Sequence, residues 1–559
     1  MQEIVLKNLD IHIGQTYRRF THVRKFREAL QNPGEVQRRK LAEIIARNQD
    51  TAFGNDHHFS KINNYQDFAS YVPSRDYEYF RPYVDRLARG ESRQLTAEDP
   101  FMFATTSGTT AKPKYIPITR GHLKDYTHAF QIHNYHLVDT FKKAAEGRFL
   151  IIVSNDEEGR TEAGIPYGAV SGLLNRRQPN IIKRHFACPY ELCKIRDVNQ
   201  KYYLMLRASI GQNVSAVLGC NPSSLLLLAD QLNEHGESLI KDLRDGTVSK
   251  TYSPPEEYAE AFSPFFKKQE EAARRLEKIF SIHGKLTPEL IWPELQVLSC
   301  WKGGPMSFYL ERLPEFYGNI PVRDFGYMAS EGRGSIPISN EGAGGILALT
   351  SHFFEFVEED DIDNSSPEFL TVEQLKAGGR YYIYFTTSGG LYRYNINDLM
   401  QVTGFAGNTP IIEFVRKGHG ISSITGEKVT EEQVLSALRQ ARTQLNLDEI
   451  SHFTAEVELG YPPYYNCFME LNASLSESIK VQFVRIFDQN LQLQNPEYAD
   501  KRSTRRLAAP VLRVLPPGTY TRLRQQRVLE GAPEAQVKIP LLSSPEAFSG
   551  RLKLLEVVS

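Results

Sequence analysis

At 559 residues the chain is too long for one compact unit, and domain sizes of about 100–200 residues predict at least two. Hydrophobic residues make up 41% and charged residues 24% of it, the balance of an ordinary folded protein rather than a disordered one. With 66 Lys plus Arg against 67 Asp plus Glu the formal charge is −1, which gives no electrostatic reason for nucleic acid or an anionic membrane as partner.

Met1 to Phe20 mixes charges among its apolar positions and has no secretory core. Residues 34–48 predict a helix, with Val36, Leu41, Ile44 and Ile45 on its apolar face. A polar stretch follows; its adjacent His57 and His58 resemble a metal cue but have no further ligands nearby, so solvated turn residues are expected. Residues 119–145 predict a second helix with Thr119 as N-cap. Its histidines, His122, His128, His133 and His136, are expected on the helix surface. Arg148 to Ser154 reads as a buried strand, and 222–243 and 255–279 as helices. After a short strand at 295–300, Gly303-Gly304-Pro305 predicts a turn before a helix at 306–316.

Strands then dominate: Gly345–Thr350, Phe353–Glu358, Arg380–Thr386, Leu391–Tyr394, Met400–Phe405 and Ile411–Arg416. Lys417-Gly418-His419-Gly420 marks a change of composition. Beyond it come a helix at 430–443, strands near 451–459 and 465–471, and a helix at 476–490. The expectation is an α/β fold class. A large N-terminal domain of residues 1–417 carries a β-rich portion, and a smaller α+β domain follows at 418–559.

The apolar runs Phe149–Val153 and Leu225–Ala229 are far too short to span a membrane. Five scattered cysteines (Cys188, Cys193, Cys220, Cys300 and Cys467) predict neither a disulfide framework nor a zinc site. A cytoplasmic monomer with no membrane and no nucleic-acid partner is expected.

The chemistry concentrates in Thr105-Thr106-Ser107-Gly108-Thr109-Thr110-Ala111-Lys112-Pro113-Lys114. Small residues allow a turn whose N–H groups point at phosphate, the hydroxyls add donors, and Lys112 and Lys114 add positive charge. The Walker A pattern is absent, and Gly342-Ala343-Gly344-Gly345 lacks the spacing of a dinucleotide fingerprint.

The order Thr-Ser-Gly-Thr-Thr-x-x-Pro-Lys resembles the phosphate loop of the adenylate-forming superfamily. Gly326-Tyr327-Met328-Ala329-Ser330-Glu331-Gly332 resembles its Tyr-Gly-x-Thr-Glu motif, and Tyr392-Arg393-Tyr394-Asn395-Ile396-Asn397-Asp398 its Tyr-Arg-x-Gly-Asp motif. The finer resemblance is to the acyl acid amido synthetases of the plant auxin-responsive Gretchen Hagen family and their microbial relatives, from about residue 35 to 545. It includes Gly389–Tyr394, Val402–Phe405, Phe414–Arg416, Asn495–Arg502 and Gln536–Pro540.

The resemblance implies that ATP and Mg²⁺ are used to activate a carboxylic acid as an acyl-adenylate, which an amino acid or other amine then attacks. Thr106, Ser107, Gly108, Thr109 and Thr110 would cradle the phosphates, with Tyr327 and Ser330 along the nucleotide and Glu331 on Mg²⁺. Asp398 would bind the ribose, Arg416 would sit at the ribose and the hinge, and Lys538 would come from a mobile C-terminal domain to the reacting carboxylate. Ala111, Asn397 in place of a glycine, and Met328-Ala329 depart from the pattern. Asn tolerates the left-handed region better than most residues. A thioester-forming ligase is the alternative, disfavoured because the hinge lacks Gly-Arg-x-x-Asp-x-Ile-Lys; a non-catalytic nucleotide-binding relative comes after it. The acid is open, with its pocket expected near Asn134 and Gly164–Gly168.

Overall fold

The structure, a computed structural model, describes residues 11–106, 114–418, 420–447, 450–471, 475–529 and 540–558. Its contacts divide the chain at Arg416/Lys417 into two compact units.

In the first unit, three sheets carry the framework. Strands Arg148–Ile152, Val214–Gly219, Val297–Ser299 and Val322–Arg323 lie side by side in chain order, all parallel. Parallel neighbours need crossovers. Helices Pro222–Glu234, Gly236–Asp245 and Glu270–His283 supply one of them, between the second and third strands. The second sheet pairs Met102–Thr106 antiparallel with Lys114–Ile118 and parallel with Pro166–Gly168. Thr106 stands opposite Lys114, so this hairpin holds the two ends of the Ser/Thr/Gly segment together.

The β-rich portion is a six-stranded sheet in the order Ser335–Ile336, Gly345–Leu347, Thr409–Lys417, Tyr394–Ala406, Arg380–Thr386, Phe353–Glu358. Phe353–Glu358 and Arg380–Thr386 begin and end where the sequence predicts. Leu391–Tyr394 and Met400–Phe405 are not two full strands; a single long strand starts at Tyr394.

Helix Pro33–Asn48 packs Leu41, Ile44 and Ile45 into the core that also holds Phe353, Phe354 and Phe385. Gln37 ties it to the sheet, donating to the Leu349 and His352 carbonyls and accepting from the Phe354 N–H. Arg393 is a second tie. Its buried guanidinium pairs with Glu355 at 2.9 Å and donates to the Ala69 and Val72 carbonyls.

The predicted helix at 255–279 is shorter. The chain makes brief turns through Glu256–Tyr258, Ala259–Phe262 and Ser263–Phe265, and a sustained helix begins only at Glu270. Pro264 interrupts the pattern, because a helix-interior proline lacks an N–H and clashes with the preceding turn. The helix proposed at 222–243 is likewise divided at His235.

In the second unit, a four-stranded sheet has the order Val511–Leu515, Tyr464–Leu471, Ile450–Glu458, Leu542–Ser543. Helix Glu431–Leu445 opens with a Thr430/Gln433 capping box. Asn495 caps helix Pro496–Ser503, while Tyr498 and Arg502 both hold Asp488. Among the described residues no helix is long and apolar enough to cross a membrane.

Candidate active site

The segment Gly326 to Gly332 makes a tight hairpin. Gly326 has φ +84°, and a Cβ there would lie 2.6 Å from the Ser335 carbonyl and the Pro337 ring. Only glycine fits such a position. The Asp324 carboxylate accepts from the N–H groups of Gly326 and Lys302, and burial pushes its pKa up to about 6. Met328–Ala329 then pairs antiparallel with Gly332–Arg333, leaving Ser330 and Glu331 at the tip.

Behind the hairpin, the Arg333 guanidinium is fully buried. It donates to the Phe325 carbonyl at 2.5 Å and lies 4.6 Å from the Phe130 ring centre, and burial lowers its pKa to about 10. The Arg333 N–H donates to His352 Nε2 at 3.1 Å. His352 stacks on His122, whose ring lies against the Ser330 backbone. Burial lowers both histidines, His122 to about 4, so both are neutral at pH 7.

Two phenols join this hairpin to the Tyr392–Asp398 segment. Tyr327 donates to Asp398 Oδ2 at 2.6 Å, and Tyr394 reaches Glu331 Oε1 at 3.3 Å. Tyr327 is also clasped by Phe414, with ring planes 8° apart. All four of Tyr327, Glu331, Tyr394 and Asp398 are buried. Asn397 lies at φ +59°, its N–H bonded to Asn395 Oδ1, so the turn a glycine would ordinarily make is kept by an asparagine.

Among the described residues no Lys or Arg forms an ion pair with Glu331. A buried carboxylate without a cationic partner is a fitting oxygen donor for a hard divalent ion. Arg416, near the end of strand Thr409–Lys417, pairs with Glu359 at 2.9 Å. Ser107, Gly108, Thr109, Thr110, Ala111 and Lys112 lie outside the described residues, as does Lys538.

Beside the hairpin is a mainly apolar cavity of about 180 Å³. Its walls include Met328 and Phe325 from the hairpin side, Phe130 and Asn134 from helix Arg120–Thr140, and Gly219 and Cys220 from the end of a parallel strand. The carboxyl ends of parallel strands are where α/β sheets bind ligands. Asn134 lines it; the segment Gly164–Gly168 does not.

The helix histidines require correction. His122 and His133 are buried, and His128 is partly buried with its Nδ1 2.7 Å from His22 Nδ1. Helix Arg120–Thr140 runs through the interior, so faces that looked solvent-directed meet Phe325 and His352 instead. His57 stacks on Phe53 and bonds Tyr79 through Nε2. Burial raises the pKa of the Cys188 and Cys193 thiols, as for ordinary core cysteines. Sequence reasoning missed Arg333 and His352; of these only Arg333 carried a signal, its position directly after the Glu331-Gly332 motif.

Three family models match the chain: the GH3 family N-terminal domain over residues 22–322, the central domain over 345–417 and the C-terminal domain over 432–547. A jasmonoyl–L-amino acid synthetase of Nicotiana attenuata is 24% identical, covering 96% of this chain and 95% of its own. An indole-3-acetic acid-amido synthetase of Arabidopsis thaliana is also 24% identical, covering 96% and 93%. Among solved structures, the AtGH3.15 acyl acid amido synthetase in complex with 2,4-DB superposes with TM-score 0.66 at 23% identity, covering 95% of each chain.

Proposed function

The chain belongs to the GH3 family, and from that premise we propose that it is an ATP-dependent acyl acid amido synthetase. The observation that carries this reading is the buried cluster of Tyr327, Glu331, Tyr394 and Asp398. It binds the second and third adenylation motifs together beside an apolar cavity large enough for the body of an organic acid.

The reaction has two stages. One carboxylate oxygen attacks the α-phosphorus of ATP, forming an acyl–O–P bond and releasing pyrophosphate. An amine nitrogen then attacks the acyl carbon, loses a proton and expels AMP, leaving an amide. In the first stage two anions must meet in line, so positioning and charge neutralisation supply most of the acceleration.

The apolar cavity would take the acid, with its carboxylate towards Met328 and the hairpin tip. Phosphates would be held by Thr106 and by Ser107, Gly108, Thr109 and Thr110, assignments that rest on the motif. Tyr327 and Ser330 would lie along the nucleotide, with Asp398 and Arg416 at the ribose. Glu331 is the residue to hold Mg²⁺, which when bound neutralises charge on the phosphates. Lys538 would approach the reacting carboxylate from the C-terminal domain and withdraw before the amine enters, as hinge gating permits.

A pyrophosphate-release screen over apolar carboxylic acids tests the reading. Activity on some acid is expected, with Lys538→Ala and Glu331→Gln abolishing release while Lys538→Ala still binds ATP. Full activity in both variants would contradict these assignments.

A further inference from the structure

Among the described residues that line the acyl cavity, one carries an arginine or lysine charge. Arg18, from the helical residues 11–18, lines it together with Asn134, Phe130 and Val138. Its guanidinium donates to two neutral carboxamides, Gln131 Oε1 at 2.7 Å and Gln15 Oε1 at 3.2 Å. Among the described residues no carboxylate forms an ion pair with it, and burial lowers its pKa. On His22 its charge acts together with that of Lys25, another cation. A half-buried charge with only neutral partners among the described residues is poorly compensated, and an anion brought by a ligand would pair with it.

Arg18 stands away from the reacting end. The N-terminal helix runs antiparallel to helix Arg120–Thr140: His22 meets His128, Arg18 meets Gln131 and Gln15 meets the Tyr135 carbonyl. Tyr126 marks the hairpin end, feeling the charges of Glu331 and Arg333. Gln131 lies five residues further on, about 8 Å at the helical rise. Directly after Arg18, a π-helical segment, Arg19–Val23, interrupts the helix. Such segments are irregularities that recur at functional sites.

We propose that Arg18 determines acid specificity by pairing with a second carboxylate at the far end of the substrate, so that the preferred acids are dicarboxylic acids with an apolar middle. This rests on the cavity being the acyl site. One carboxylate is activated at the hairpin tip and the other stays at Arg18, chemically unchanged.

The test compares matched acids, octanoic with octanedioic and 3-phenylpropanoic with 3-(4-carboxyphenyl)propanoic, by kcat/KM for pyrophosphate release. A charge-assisted contact predicts a diacid preference of roughly 10- to 100-fold in the unmodified enzyme. Arg18→Met should remove it through a higher KM for the diacids alone, and Arg18→Lys should keep part of it. A general loss of packing would instead lower both members of each pair equally. A monoacid preference in the unmodified enzyme, or equal loss for both acids in Arg18→Met, overturns the inference and leaves the enzyme assignment standing. No pyrophosphate from any acid overturns the assignment beneath it as well.

Discussion

The Tyr327 hydroxyl and the Asp398 carboxylate are joined by a 2.6 Å hydrogen bond across 71 residues of chain, both groups being buried. Tyr327 belongs to the hairpin that presents Glu331, and Asp398 to the long strand Tyr394–Ala406 of the six-stranded sheet. The bond therefore fixes the hairpin to the sheet. Tyr327→Phe leaves Asp398 with one donor fewer, at a cost of about 1.5–3 kcal/mol for a hydrogen bond to a charged group. The expected outcome is a lower melting temperature and a rise of about tenfold in the KM for ATP. An unchanged KM with a lowered melting temperature would make the bond purely structural.

Arg393 lies within an adenylation motif, yet its contacts describe a structural role. Arg393→Met should lower stability by about 3–5 kcal/mol, because Glu355 is left buried without its partner. Arg393→Met combined with Glu355→Leu should recover much of that loss, since neither charge then remains. Urea midpoints of the two single variants and the double variant check this. Additive losses would contradict it.

Asn397 makes a turn at φ +59°. Asn397→Gly should be neutral to within about 1 kcal/mol, whereas Asn397→Val should cost about 1–3 kcal/mol for forcing a branched side chain into the left-handed region. Melting temperatures of the pair distinguish them; equal values would show that the turn relaxes.

Stability should fall as the pH drops from 6.5 towards 4. Burial holds His122, His128 and His136 at about 4, with His133 and His352 well below 6.5, so the unfolded chain binds more protons across this window. At pH 5 a fully buried histidine such as His122 contributes a loss of about 2 kcal/mol. Asp324, raised to about 6, acts oppositely and binds its proton in the folded state first, and Asp125, Glu355 and Glu413, also raised by burial, act in the same direction. The lowered histidines outnumber these carboxylates. Melting temperatures between pH 7.5 and 5 should decline, and His122→Phe should flatten the decline; a flat profile in the unmodified chain would contradict the prediction.

Much of this was legible in the residues. Aromatic-rich apolar runs placed Phe353–Glu358 and Arg380–Thr386, and the Thr119 cap placed a helix start. The roles proposed for Glu331 and Asp398 rest on motifs that local sequence can carry. The histidines of helix Arg120–Thr140 were not legible, because whether a helix face meets water or Phe325 is decided by elements hundreds of residues away. Arg18 lies outside every motif; it enters the cavity through tertiary packing of the N-terminal helix on Gln131.

The most direct measurement is product analysis by mass spectrometry with an activated acid, ATP and Mg²⁺, offered amino acids and coenzyme A together. An amide of the acid with an amino acid, accompanied by AMP and pyrophosphate, is the expected result. A coenzyme A thioester without amide, or ADP and phosphate in place of AMP and pyrophosphate, would contradict it.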